Sequence, residues 1–345
     1  MKLTYKLIVK SVTPIHIGSG EEYPLFSIVD NYRFDDEEIV ESFINNELRL
    51  RDDVKVEDIE KIREKIEREI YQYAKSVKNS LIPLYKLDEV DRLILSTENK
   101  MIKIQETMKY VDKDALKPFI PASTIKGIFL TIWFYKIIKK IQMSGNKNVF
   151  QILNTVIEKE KRNNITFSTI LKSPHLIERF KINLENLFGE KIPKMVLHDC
   201  FLSSYKLKVG RLFVGRRKII QVEVLDEFEG SCILDAEDFN INEFICYLKE
   251  FARDYLSKME GLKEIDGNMK NEISKIKEDL SKMKENESYL IVGKFTNMYS
   301  KSLQLVLNIS NYRVRRPILL RYLDINGRKT PIGLVKVEFL EEKKV

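Results

Sequence analysis

Cysteine, histidine and tryptophan are scarce in these 345 residues: three, three and one. Cys200, Cys232 and Cys246 are widely spaced and odd in number. They match no zinc-ligand spacing and no disulfide framework, which points to a reducing, intracellular setting. Long apolar runs are missing too. No segment approaches the roughly 20 apolar residues of a membrane span. The opening "MKLTYKLIVK" alternates polar and apolar residues and lacks the apolar block of a signal peptide. The expectation is a soluble, cytoplasmic protein with no membrane partner. A metal-dependent nuclease needs clustered carboxylates or histidines. Here His198 and Asp199 are the one His-Asp neighbour pair, and adjacent strand residues face opposite ways. No metal and no cofactor are expected. There is no low-complexity segment and no repeat at solenoid period.

What is present is charge and enough apolar material for a core. Charged residues make up 32%, apolar residues 43%, and the formal net charge is +7. A basic excess fits a partner with phosphates, but it also fits a solvated Lys/Glu surface. Clustering decides between them.

Residues 3 to 12 alternate as a half-buried strand does, and Pro14 with the Gly18/Gly20 pair ends the run. A second short strand is expected near 25 to 34. "DDEEIVESFINN" opens with acids, a good helix start. From 57 to 80, Ile59, Ile62, Ile66, Ile70, Tyr73 and Val77 step by three or four, which predicts an amphipathic helix. "KPFIPASTIKGIFLTIWFYKIIKK" reads as a loop and then a helix apolar on most sides, therefore buried, with lysines at its end. "LFGEKIPKMVLHDCFLSSYKLKVG" reads as a turn and a strand. "RRKIIQVEVLDEFEGSCILDA" reads as two strands joined by an acidic turn at Gly230. Residues 241 to 285 read as charged helix interrupted at "GLKEIDGN". Extended runs close the chain. The fold class is α+β. Two ferredoxin-like (RRM-like) units with helical insertions satisfy the pattern, with domains at 1–190 and 191–345. A single α+β domain is the alternative.

Several stretches are candidates for chemistry. In "PASTIKG", Ser123 or Thr124 precedes the first turn of the buried helix, with Lys126 and Gly127 just inside it. Free backbone N–H groups and these side chains make a phosphate seat, or else merely a capped helix. "KLKVGRLFVGRRKII" carries Lys206, Lys208, Arg211, Arg216, Arg217 and Lys218, with Phe213 among them as a stacking ring or a core residue. "NYRVRRPILLRY" adds Arg313, Arg315, Arg316 and Arg321, with Tyr312 and Tyr322. "LIVGKFTNMYSKS" places Gly293, Lys294 and Lys301 in a loop able to follow a phosphate backbone, or in an ordinary hairpin connection. His16, in "PIHIGSG", is a candidate general base, but the sequence nominates no second acid or base beside it.

"PIHIGSG", "FIPASTIKG", "LFG" (Leu187 to Gly189) before "MVLHDC", and the late "VGKFTNMYSKS" together resemble the RAMP superfamily of CRISPR proteins. Within it, the closing "TPIGLVKVEF", the length and the motif order resemble the family of fifth subunits of the type III-A Csm effector complex. The resemblance implies two ferredoxin-like domains and no catalysis. It implies a subunit that binds crRNA toward its 3′ end, caps the backbone filament and supports crRNA 3′-end maturation. Its partners would be crRNA, the backbone and small Csm subunits, and recruited cellular nucleases. By the same resemblance His16, Gly18 and Ser19 lie beside the RNA path or a neighbouring subunit, and Ser123, Lys126 and Gly127 face the RNA backbone. The family's late loop has the form GxGxG followed by SKT. Here Gly293, Ser300 and Lys301 match, while Lys294, Phe295 and Asn297 are bulkier, and Lys294 supplies charge instead of backbone access. Two other readings stay open: a metal-independent CRISPR repeat endoribonuclease with His16 as base, and a protein scaffold whose basic clusters are only solvated.

Overall fold

The computed structural model describes residues 2–46, 59–113, 115–144, 194–214, 218–237, 239–262, 265–294 and 321–342. The strands are β1 (Lys2–Ser11), β2 (Gly18–Pro24), β3 (Ile28–Val29), β4 (Tyr32–Arg33), β5 (Tyr85–Lys86), β6 (Glu89–Val90), β7 (Lys103–Thr107), β8 (Lys109–Asp112), β9 (Ala115–Ile120), β10 (Lys194–Leu197), β11 (Cys200–Val214), β12 (Lys218–Glu237), β13 (Glu287–Ile291), β14 (Arg321–Ile325), β15 (Arg328–Pro331) and β16 (Leu334–Glu341). The helices are α1 (Asp36–Asn46), α2 (Ile59–Val77), α3 (Arg92–Leu95), α4 (Ala122–Ser144), α5 (Ile241–Glu260) and α6 (Gly267–Ser281).

One large sheet runs in the order β13-β16-β1-β12-β11-β14-β15. β1 sits between β16 and β12 and pairs antiparallel with both. Its alternation does what the sequence asks: Tyr5, Leu7 and Val9 are buried. Taken as β1-α4-β11-β12-α5-β16, the central strands lie in the order β16-β1-β12-β11. That is the βαββαβ arrangement of a ferredoxin-like unit. Both ends of the chain contribute strands to it.

α4 is apolar on nearly every side, and it is buried accordingly. Phe129 packs edge-to-face on Phe244 at 5.1 Å between centroids, and Tyr135 on Phe251 at 5.2 Å. Both partners lie on α5, whose Phe244, Leu248, Phe251 and Tyr255 face inward. The lysines at the end of α4 serve this contact. Lys136 pairs with Glu243 at 2.8 Å, and Lys139 with Glu250 at 2.9 Å and Asp254 at 3.1 Å. α5 stops at Gly261 and α6 restarts behind the Asp266 cap, where the expected turn lies.

Two expectations need correction. The strand expected at 25 to 34 is a 3-10 turn (Leu25–Ser27) followed by the two-residue strands β3 and β4. Asp30 and Asn31 adopt positive φ there and turn the chain at once, a conformation short polar side chains tolerate. The hairpin expected at Gly230 does not exist, because β12 runs unbroken through it for 20 residues. The acids there are cross-strand partners, not a turn. Lys208 pairs with Asp226 at 2.9 Å, Lys10 pairs with Glu229 at 2.9 Å, and Lys206 pairs with Glu227. Gly230 is needed where β11 crowds β12: a Cβ there would stand 2.7 Å from the Phe201 carbonyl oxygen.

Candidate nucleic-acid interface

"PIHIGSG" is threaded between distant strands by its backbone. Ile15 and Leu225 exchange both backbone hydrogen bonds, at 2.9 and 2.8 Å. The Gly333 N–H donates to the Pro14 carbonyl at 2.8 Å, the Lys294 N–H to His16 at 2.9 Å, and the Met108 N–H to Ile17 at 2.6 Å. The segment thereby joins β12, the turn after β13 and the β7–β8 junction.

His16 points inward and is 1% exposed. Its Nδ1 lies 2.7 Å from the Glu223 carbonyl oxygen, which also accepts from the Thr107 hydroxyl at 2.8 Å. The Nδ1–H tautomer donates to that oxygen. His16 is expected beside the RNA path or a neighbouring subunit, and its ring is instead drawn into the core by the carbonyl on β12. Gly293 closes over it at φ +113°, and a Cβ there would meet the His16 carbonyl oxygen at 2.8 Å. Gly293→Ala is therefore both strained and crowded, and it should cost about 1–3 kcal/mol in chemical denaturation. Wild-type stability in that variant would mean the turn does not rest on His16.

What "PIHIGSG" does expose is the start of β2. Gly20 is exposed, and Gly18 and Ser19 are half-buried beside half-buried Gln105 and exposed Lys294. The Lys294 side chain lies across Gly18, where a Cβ would stand 2.8 Å from its Cδ, and Lys294 Nζ donates to Gln105 Oε1 at 3.2 Å. Ser19 Oγ donates to the Glu106 carbonyl at 3.2 Å. The early glycine turn and the late Gly-Lys turn, some 275 residues apart in sequence, thus form one surface.

At the α4 N-terminus Ser123, Lys126 and Gly127 are exposed and Thr124 is half-buried. A Cβ on Gly127 would meet nothing within 4 Å, so this residue faces open space. Part of the expected anion seat is taken: the Ala122 N–H donates to Asp199 Oδ1 at 2.7 Å. The "HDC" aspartate caps this helix.

In the β11 basic run the described cations Lys206, Lys208 and Arg211 are ion-paired. Arg211 Nε contacts Asp91 Oδ2 at 3.0 Å, and its Nη2 lies 3.4 Å from Asp324. Lys208 holds Asp226, and Glu89 at 3.3 Å. Carboxylates on neighbouring elements pair with these cations, so Arg211 and Lys208 tie the sheet together. Phe213 is neither core nor free, since it stacks on Tyr322 at 4.8 Å and 3°. Arg216, Arg217, Lys301, Arg313, Arg315 and Arg316 lie outside the described residues.

Beneath the glycine surface lies a polar network that sequence reasoning missed. The Glu223 side chain is fully buried and the Lys109 side chain is 4% exposed, and the two meet at 2.5 Å. Tyr23 and Tyr85 donate to Glu223 Oε2 at 3.0 and 2.9 Å. Lys109 also reaches Glu106 at 3.1 Å and lies 4.1 Å from the Tyr85 ring centre. A carboxylate inside the apolar run "IIQVEVL" was the available signal. Burial, and then the Glu223 charge, push the Tyr23 and Tyr85 phenols well above their usual value near 10. Native phenols keep their protons while unfolded ones lose them. This stabilisation is complete below pH 10 and is lost as pH rises toward the native values. Each tyrosine should cost about 1.4 kcal/mol per pH unit above 10. Denaturation midpoints at successive pH values above 10 should fall accordingly, and flat midpoints would contradict the burial of both phenols.

Comparison with protein families gives a match to the RAMP superfamily over residues 8–307. Among solved structures, the chain resembles one from the cryo-EM structure of a Csm–crRNA–target RNA ternary complex of a type III-A CRISPR-Cas system. The TM-score is 0.58 and the identity 15%, covering 99% of this chain and 100% of that one. No curated protein matches significantly.

Proposed function

The chain belongs to the RAMP superfamily, and from that footing we propose that it is a non-catalytic RNA-binding subunit of a type III-A CRISPR effector complex. In this reading it holds crRNA, caps the backbone filament at the crRNA 3′ end and supports 3′-end maturation through recruited nucleases. Its other partners are the backbone and small subunits, and it works in the cytoplasm.

The observation that carries the reading is the shared surface of Gly18, Ser19, Gln105 and Lys294. Two family-motif segments from opposite ends of the chain meet there, with half-buried Gly18 and Ser19 beside exposed Gly20 and the exposed Lys294. Exposed Ser123 and Lys126 add a second such place. These groups suit a phosphodiester backbone and read no base sequence. The lack of catalysis is supported by His16, whose ring is buried and whose Nδ1 is held by a backbone carbonyl. A general base must reach the proton it removes.

The test is co-purification of the full chain with crRNA and the backbone subunits, together with the crRNA 3′-end lengths in cells lacking it. The expected result is a stable association, and longer or altered 3′ ends on its loss. Failure to associate, with unchanged 3′ ends, would remove the proposal.

A further inference from the structure

The water-facing side of an antiparallel sheet ordinarily carries polar residues. The junction of β9 and β11 departs from that. Cys200 pairs with Ile120 and both are fully buried. The next pair, Phe201 and Phe119, must therefore point to the opposite, outer face. Tyr110 pairs with Lys117, two residues before Phe119, so these side chains share that outer face.

The three rings touch one another. Tyr110 lies edge-on to Phe119 at 5.6 Å and to Phe201 at 5.0 Å. Phe119 and Phe201 stand within 23° of parallel at 6.3 Å. Phe201 remains 50% exposed. Lys117 bonds Asp112 at 2.6 Å on the same hairpin, with its side chain 41% exposed. The cluster leads directly into α4. Phe119 is three residues before Ala122, and Asp199, two before Phe201, holds the Ala122 N–H. Exposed Ser123 and Lys126 follow at once, and Lys126 forms no ion pair among the described residues.

We propose that Tyr110, Phe119 and Phe201 form a stacking platform for bases of single-stranded RNA, with exposed Lys126 taking an adjoining phosphate. The proposal rests on the RNA-binding reading above and names where bases, as opposed to backbone, are held. An apolar protein surface would have to desolvate Lys117 beside the rings. A nucleotide offers a ring to the rings and a phosphate to the Lys126 ammonium. Stacking of this kind takes any base and needs it unpaired, so a duplex gains nothing from the platform.

The full chain is titrated with labelled oligouridine and with duplex RNA, using wild type, Phe201→Ala and Phe201→Tyr. Phe201→Ala should lose about 5- to 100-fold in single-strand affinity. Its salt dependence should stay unchanged, because no charge is removed, and its duplex affinity should not move. Phe201→Tyr should keep most of the binding. RNA carrying 5-iodouridine should crosslink on irradiation to peptides holding Tyr110, Phe119 or Phe201. Phe201 is half exposed, so the alanine variant should melt as wild type does. Unchanged single-strand affinity in Phe201→Ala, with no crosslinks to these peptides, would overturn the platform and leave RNA binding in place. Loss of a subunit contact with RNA affinity intact would likewise overturn it in favour of a protein interface. No RNA binding by the wild-type chain would sink the functional reading and the platform with it.

Discussion

Glu223→Gln lowers the unfolding free energy by about 3 kcal/mol, at the lower end of the roughly 3–5 kcal/mol lost when one partner of a buried ion pair is removed. Glu223 accepts from Lys109, Tyr23 and Tyr85 together. Glutamine keeps the shape but withdraws the charge, which leaves an ammonium almost without water. Glu106 is still within 3.1 Å of Lys109, and its side chain is 23% exposed, which places the loss at that lower end. The double variant Glu223→Gln, Lys109→Met removes both charges and should recover a good part of the loss, because no buried ion is then left over. Denaturant midpoints measure both. A single variant within about 0.5 kcal/mol of wild type would mean that the network is solvated and carries no stability. The network bears on function as well. It lies under β2, β7 and β12, the strands that position Gly18, Ser19 and Gln105. Loosening it should blur the surface before it unfolds the chain.

RNA affinity of the full chain falls about 100-fold between roughly 50 and 200 mM salt. That figure follows from about five phosphate contacts on a single strand, each releasing counterions at a slope near −0.7. Lys126→Glu should flatten the slope by about one contact and weaken all sequences alike. Arg211→Gln should not change the slope, since Asp91 and Asp324 already neutralise that guanidinium. It should instead lower stability. An affinity indifferent to salt would exclude a phosphate-led interface. A slope change at Arg211 as large as that at Lys126 would show that the Arg211 ion pairs open to admit RNA.

Much of the framework was legible because period and burial coincide. β1 alternates and sits half-buried between two strands. α4 is apolar on most sides past its first turn, and its described residues Phe129, Ile132, Trp133, Tyr135 and Ile137 are buried. The break between α5 and α6 falls at "GLKEIDGN", where Gly261 and the Asp266 cap stop one helix and start the next. Turn chemistry misled at "DEFEG". Acids beside a glycine are a local turn signal, but Asp226, Glu227 and Glu229 find their lysines across the sheet, a long-range pairing that no local pattern encodes. The same pairing takes up Lys206 and Lys208, whose partners a count of cations along β11 does not reveal.

His16 shows the limit most clearly. Pro14 and the Gly18/Gly20 pair end the first strand as expected, and Gly20 reaches the surface. The ring does not, because the Glu223 carbonyl on β12 and the Gly293 turn lie above and beside it. Burial of one side chain in a turn depends on elements more than 200 residues away. The outer-face rings Phe119 and Phe201 were hidden for a related reason: which face of β9 looks to water is fixed only once Cys200 and Ile120 are seen to pair inward.

The most direct test is a gel-shift of the full chain on repeat-derived crRNA in EDTA, with the RNA recovered from the shifted band and sized. The expected result is a shifted band that holds RNA of its original length, for wild type and for His16→Ala alike. Specific scission by the wild type that His16→Ala abolishes would contradict it, and so would the absence of any shift.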